Sequence, residues 1–234
     1  MRRALRLLPA LAAALLAGCM GGPPPGPAWK VRAAEATQAY YAAMLRGDAQ
    51  RAGSSLRRAL EAASRSDDLT SLARVHLGRA AMQVALRREP DFARADELTE
   101  LSGDRGLAAY RRFLAGTPRA GDAQLLPGAL AAPARHLRAG RPKALAASVA
   151  AIDAPRRRVV AAAVAHRRYP DRRAFARSAV GAASGEGWRG VLLTWLPVQA
   201  AAAERAGDKQ QAAAIRDRLR WLRDPLAGQP GREG

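Results

Sequence analysis

Between Lys30 and Arg223 no stretch of this chain alternates β-branched or aromatic side chains with polar ones, and Gly-Asp or Pro steps interrupt it at short intervals. A half-buried strand requires that two-residue alternation, because successive side chains point to opposite faces of a sheet. Alanine and leucine dominate instead, and aromatics make up only 5% of the chain. Both are strong helix formers. The chain is therefore read as all-α, and the interruptions mark where each helix stops.

Lys30–Arg46 is apolar along one face and ends at Gly47, which suits the left-handed conformation of a helix C-terminus. Asp48 caps a second helix running to Ser64. Ser66-Asp67-Asp68 opens a third, which Glu89-Pro90 breaks after Arg88. Helices follow over Asp91–Leu101, Asp104–Leu114, Ala120–Leu126 and Ala129–Ala139. Pro142 fits the first turn of a helix reaching Ile152, and Asp153-Ala154-Pro155 starts one that reaches Arg168. Asp171–Ala183, Trp188–Ala206 (interrupted at Pro197) and Asp208–Arg223 complete the set. A dozen helices with short connections predict stacked antiparallel helical hairpins. The many alanine-lined sides imply close helix–helix approach and a thin core.

The N-terminus has a different character. Arg2, Arg3 and Arg6 precede an apolar run from Leu7 to Ala17, far shorter than the ~20 residues of a membrane-spanning helix. It reads as a secretory signal. Leu16-Ala17-Gly18-Cys19 closes it and resembles the lipobox of bacterial lipoproteins. The resemblance implies that residues 1–18 are removed and that Cys19 takes the diacylglycerol and becomes the new N-terminus. Met20 stands where that family uses Asp to retain proteins at the inner membrane, which implies the outer membrane, facing the periplasm. Cys19 is the one cysteine of the chain, so no intramolecular disulfide is available and the fold rests on its core. Residues 19–28 are rich in Pro and Gly and read as an extended tether. Residues 29–224 then form one helical domain, and residues 225–234, poor in core-forming side chains, a flexible tail.

Gly47-Asp48, Ala52, Leu56 and Ala59 resemble the second half of a tetratricopeptide repeat, with Gly-Asp as the turn and small residues where paired helices touch. Gly207-Asp208 and Ala212 repeat the turn, and Gly103-Asp104 and Gly121-Asp122 echo it. Successive Gly-Asp pairs are 56, 18 and 86 residues apart, not multiples of that family's period. A tetratricopeptide-like or irregular α-solenoid and a non-repetitive helical bundle both remain open. Stacked hairpins expose extended grooves suited to polypeptide partners.

The formal charge is +19; without Arg2, Arg3 and Arg6 it is +16, from 36 basic and 20 acidic residues. The excess is uneven. Residues 89–104 hold six acids, whereas 105–170 hold thirteen bases against Asp122 and Asp153. Arg156, Arg157, Arg158, Arg167, Arg168, Arg172 and Arg173 are the densest basic group and the candidate anion-binding residues. Their guanidinium forks suit phosphates and carboxylates. Alternatively they solvate an alanine-rich surface, with the acidic 89–104 segment pairing with them inside the molecule. Nucleic acid is not an expected partner, since no helix-turn-helix or aromatic RNA-binding pattern is present.

Catalytic signatures are missing. His76, His136 and His166 lie far apart with no metal partner at helical spacing, so neither a metal nor another cofactor is expected. No Gly-x-Ser-x-Gly elbow or phosphate loop occurs. Glu186 sits among small residues, but the segment lacks the Glu-Ser pattern of lytic transglycosylases; it reads as a first-turn carboxylate of the helix carrying Trp188. Trp188, Leu192, Trp195 and Leu196 share a helix face that Leu219 and Leu222 can meet. That face forms either the C-terminal core or an exposed aromatic platform. The reading that emerges is a non-enzymatic envelope lipoprotein that binds or scaffolds a protein partner. The alternatives are a factor binding an anionic envelope polymer (lipopolysaccharide, peptidoglycan or phospholipid) and, more remotely, an enzyme of cell-wall turnover.

Overall fold

The computed structural model describes residues 27–224. The signal, Cys19, most of the tether and the 225–234 tail lie outside them. Among the described residues there are twelve helices and no strand, so the all-α expectation holds. They are α1 (Ala28–Arg46), α2 (Ala49–Ala63), α3 (Leu69–Ala85), α4 (Ala93–Ser102), α5 (Arg105–Ala115) and α6 (Asp122–Leu125). The second half comprises α7 (Gly128–Arg138), α8 (Pro142–Ala150), α9 (Pro155–Arg168), α10 (Arg173–Gly185), α11 (Arg189–Arg205) and α12 (Lys209–Arg223).

Caps explain most boundaries. Gly47 adopts φ 86° after α1, and the Asp48 carboxylate accepts from the Arg51 N–H at 2.9 Å to start α2. Gly207 and Asp208 repeat this arrangement, with Asp208 accepting from the Gln211 N–H at 3.0 Å. In both hairpins the Asp N–H also donates to a carbonyl of the preceding helix, Ala43 or Ala203, at 3.0 Å. At the small positions, Ala52, Ala59 and Ala212 are buried and Leu56 is half-buried. Asp104 caps α5 through the Gly106 and Leu107 N–H groups. Asp122 departs from the pattern. It lies inside α6 with its carboxylate on Arg112 and the Arg119 N–H. α1 begins at Ala28, so the tether's last residue is already helical.

Pro197 does not interrupt α11, which runs through it from Arg189 to Arg205. An interior proline removes one backbone bond and costs ~3 kcal/mol. Burial of Leu192, Trp195 and Leu196 before it, and Ala200 and Ala203 after it, offsets that loss. Glu186 is likewise not in the first turn of the next helix. It is the exposed residue that closes α10, and α11 starts only at Arg189.

Sequential hairpins pack against each other, but two helices are central. Every residue of α9 from Val159 to His166 is buried, so that helix is enclosed on all sides, chiefly by α3, α5, α7, α8 and α10. Its Val/Ala sequence has no polar face to present to water. α3 packs on α1, α4, α5 and α9 and buries ten residues. α1 also packs on α11, which joins the first hairpin to the last. There the Gly47 and Gly190 backbones nearly touch. The core's largest fully buried side chains are Trp195, Phe113 and Phe175. No helix among the described residues is long and apolar enough to cross a membrane.

Candidate functional site

Five helices, α1, α3, α5, α7 and α9, converge on a pocket of about 380 Å³. α1 supplies Gln38 and Tyr41, α3 supplies Arg74, α5 supplies Tyr110, and α9 supplies Arg156 and Arg157. Leu77, Ala81, Met82, Leu107, Leu130 and Val160 make an apolar floor. Its size falls in the range of small-ligand sites. Gly78 shapes the cleft: a Cβ there would overlap the Tyr41 hydroxyl, so only glycine lets that phenol lie against α3. Along α1 and α3 the pocket continues into a more open groove of about 250 Å³ that shares Gln38, Tyr41 and Arg74.

Its polar groups are held in place. The Arg156 guanidinium stacks 4.5 Å from the Tyr41 ring centroid and donates to Gln38 Oε1 at 2.6 Å. Arg74 sits 3.6 Å from the Asp104 carboxylate. Arg157 is exposed and makes no ion pair among the described residues. Burial pushes both phenols up from their ordinary value; Tyr41 adds to the rise at Tyr110, while Arg156 and Arg157 oppose it there. Both therefore stay protonated at neutral pH and present O–H donors. Neither hydroxyl is hydrogen-bonded within the described chain.

Local electrostatics make this end of α9 unusual. Arg156, Arg157 and Arg158 occupy its first turn, where the helix dipole is already positive and basic residues are disfavoured. Arg167 and Arg168 sit in its last turn, where cations are favoured. The first group breaks a local rule and the second obeys it. The resulting positive field stands over a floor of apolar side chains.

The seven candidate arginines are thus not one surface. Arg156 and Arg168 are separated by ~18 Å along α9. Arg158 donates to the Ile152 carbonyl at 2.6 Å and braces its own loop. Arg167 pairs with Glu89 at 3.1 Å, and Arg168 stacks on Tyr169. Arg172 and Arg173 are exposed at the start of α10. Among the described residues, Glu89 alone of the acidic segment pairs with one of these arginines; Asp91 pairs instead with Arg79, Asp96 with Arg111, Glu97 with Arg94 and Asp104 with Arg74. Of the seven, Arg157, Arg172 and Arg173 are exposed and outside every ion pair among the described residues, while Arg156, Arg158 and Arg168 meet neutral partners.

The C-terminal aromatic face splits as well. Trp195 is fully buried, its indole N–H donating to the Ala85 carbonyl at 2.8 Å, and Leu192, Leu196 and Leu219 are buried with it. Trp188 is half-buried and Trp221 is 63% exposed. His166 meets Trp195 edge-on at 5.3 Å and its Nδ1 has no partner. Burial first, then Arg87 and Arg205, push its pKa down; Asp171 opposes them.

Sequence reasoning singled out Arg156 and Arg157 but not Arg74 or Tyr110. No local signal joins them, because they come from separate helices. One faint sign existed: Gly78 inside an otherwise unbroken helix marks a close approach. The chain matches no known protein-family model, no curated protein and no solved structure.

Proposed function

We propose that the chain is a lipid-anchored module on the periplasmic side of the cell envelope, at the outer membrane, that binds and scaffolds a protein partner without catalysing a reaction. Cys19 at the end of its lipobox-like segment is the anchor. Residues 20–27 give the helical domain reach, and anchoring raises the effective concentration of a weakly held partner. The observation that carries the protein-binding reading is Trp221, left 63% exposed on α12, a helix that packs principally on α11. A tryptophan left in water on a terminal hairpin forgoes the burial its ring area would gain, and such residues are enriched at interface hot spots. A groove between α11 and α12, lined by Pro197, Ala200, Ala201 and Leu219, runs along the same hairpin.

A second reading, binding of an anionic envelope polymer, is favoured by Arg157, Arg172 and Arg173, which are exposed and outside every ion pair among the described residues. Crosslinked pull-down from envelope membranes separates the two. Loss of a defined protein partner in Trp221→Ala supports the scaffold. Salt-sensitive recovery of polymer that vanishes in the triple Arg→Gln form supports the second reading. If Cys19→Ser leaves the protein in the membrane fraction, the anchor is elsewhere and the reading fails.

A further inference from the structure

The pocket between α1, α3, α5, α7 and α9 brings together two requirements that surface chemistry rarely meets at one place. Arg156 and Arg157 stand side by side at the positive end of α9 with no carboxylate between them. The acceptor on Arg156 is the neutral amide of Gln38, and only Arg74 has an acid near it, at 3.6 Å. Beneath these cations lie side chains such as Leu77, Met82 and Val160, which offer no hydrogen bond. A purely polar anion leaves that floor unfilled. A purely apolar ligand leaves the guanidinium groups without a counter-charge.

We propose that this pocket binds a small amphipathic anion, an oxyanion head on a single short alkyl chain. The head is held by Arg156, Arg157 and the Tyr41 and Tyr110 hydroxyls, and the chain lies on the Leu77–Met82–Val160 floor. Guanidinium forks and neutral phenols all donate, so together they match an acceptor-only head such as phosphate or carboxylate. The volume, about 380 Å³, stands near the small end of ligand cavities and admits one chain rather than two. The adjoining groove along α1 and α3 gives the chain a way out toward Lys30. This site is separate from the α12 surface, so the scaffold reading stands or falls without it.

The test is calorimetric titration of the full chain carrying Cys19→Ser, so that no acyl group of its own competes. The probes are decyl phosphate, decanoate, 1-decanol and inorganic phosphate, each below its aggregation concentration. One site should bind decyl phosphate or decanoate at least ten-fold more tightly than decanol or inorganic phosphate. Preference between the two anions identifies the head. Arg157→Gln should weaken binding about ten-fold, and Tyr110→Phe several-fold, with melting temperatures unchanged. Arg157 is exposed and unpaired, so its loss does not threaten folding. Equal binding of decanol, equal binding of inorganic phosphate, indifference to Arg157→Gln, or no binding of either decyl anion would each overturn the proposal.

Discussion

Gly190→Ala is expected to destabilise this protein, although the same change usually strengthens a helix. Gly190 lies in the first turn of α11, where that helix meets the end of α1. A Cβ at this position would sit 2.7 Å from the Gly47 nitrogen and 2.9 Å from both the Gly47 Cα and the Leu45 carbonyl oxygen. Comfortable separations are ~3.5–4.0 Å. All three obstacles are backbone, in a turn pinned by the Gly47 N–H to Ala43 carbonyl bond (3.0 Å) and by the Asp48 cap. None can rotate away, so the first and last hairpins must separate. Overpacking of this kind costs ~1–3 kcal/mol, against a helix-propensity gain of ~1 kcal/mol. The net loss is up to ~2 kcal/mol at the strained site. Gly53→Ala in α2 is the control: it is exposed, with nothing within 4 Å of the added carbon, and should gain up to ~1 kcal/mol. Thermal or urea melts read the contrast, since 1 kcal/mol moves Tm by ~2–4 °C in a domain of this size. If Gly190→Ala melts at or above Gly53→Ala, the α1–α11 contact is wrong.

Three further outcomes follow from the same contacts. Asp122 is 3% exposed and accepts from Arg112 Nε at 2.9 Å, Arg112 Nη2 at 2.6 Å and the Arg119 N–H at 2.8 Å. Arg112→Leu should therefore cost ~3–5 kcal/mol by stranding a buried carboxylate, with much of that loss recovered in the Arg112→Leu, Asp122→Leu double variant on denaturant melts. His166 is buried neutral with its pKa below the ordinary 6.5, so the unfolded chain takes up its proton first. Stability should be full above pH 6.5 and fall as pH drops through the depressed value; His166→Phe, which keeps the edge contact with Trp195, should flatten that acid limb in pH-dependent melts. Asp48→Ala and Asp208→Ala should each cost ~1 kcal/mol through loss of an N-cap, and their effects should add because the two turns lie at opposite ends of α11.

How far the fold was legible depends on the range of the interaction involved. The turn at Gly47-Asp48 and its repeat at Gly207-Asp208 follow from neighbours in the chain, since a left-handed glycine and a capping carboxylate act within one helical turn. At Glu186 and Pro197 local sequence and structure part. Burial around Trp195 outweighs the lost backbone bond at Pro197, and α10 extends two residues further than its composition marks. The arginines show the same limit. Their number and spacing are written in the sequence, but packing alone sends Arg167 to Glu89 and leaves Arg156 over Tyr41.

By itself the sequence determined the all-α class, the turns at Gly47-Asp48 and Gly207-Asp208 and the uneven charge, because each arises from residues a few positions apart. Only the tertiary structure decided that α9 is enclosed, that Gly47 meets Gly190, and that Arg74, Tyr110, Arg156 and Arg157 share one pocket. Those outcomes depend on which helix faces meet across the chain. Alanine-lined faces all resemble one another in sequence, and that choice rests on the summed packing of the whole domain.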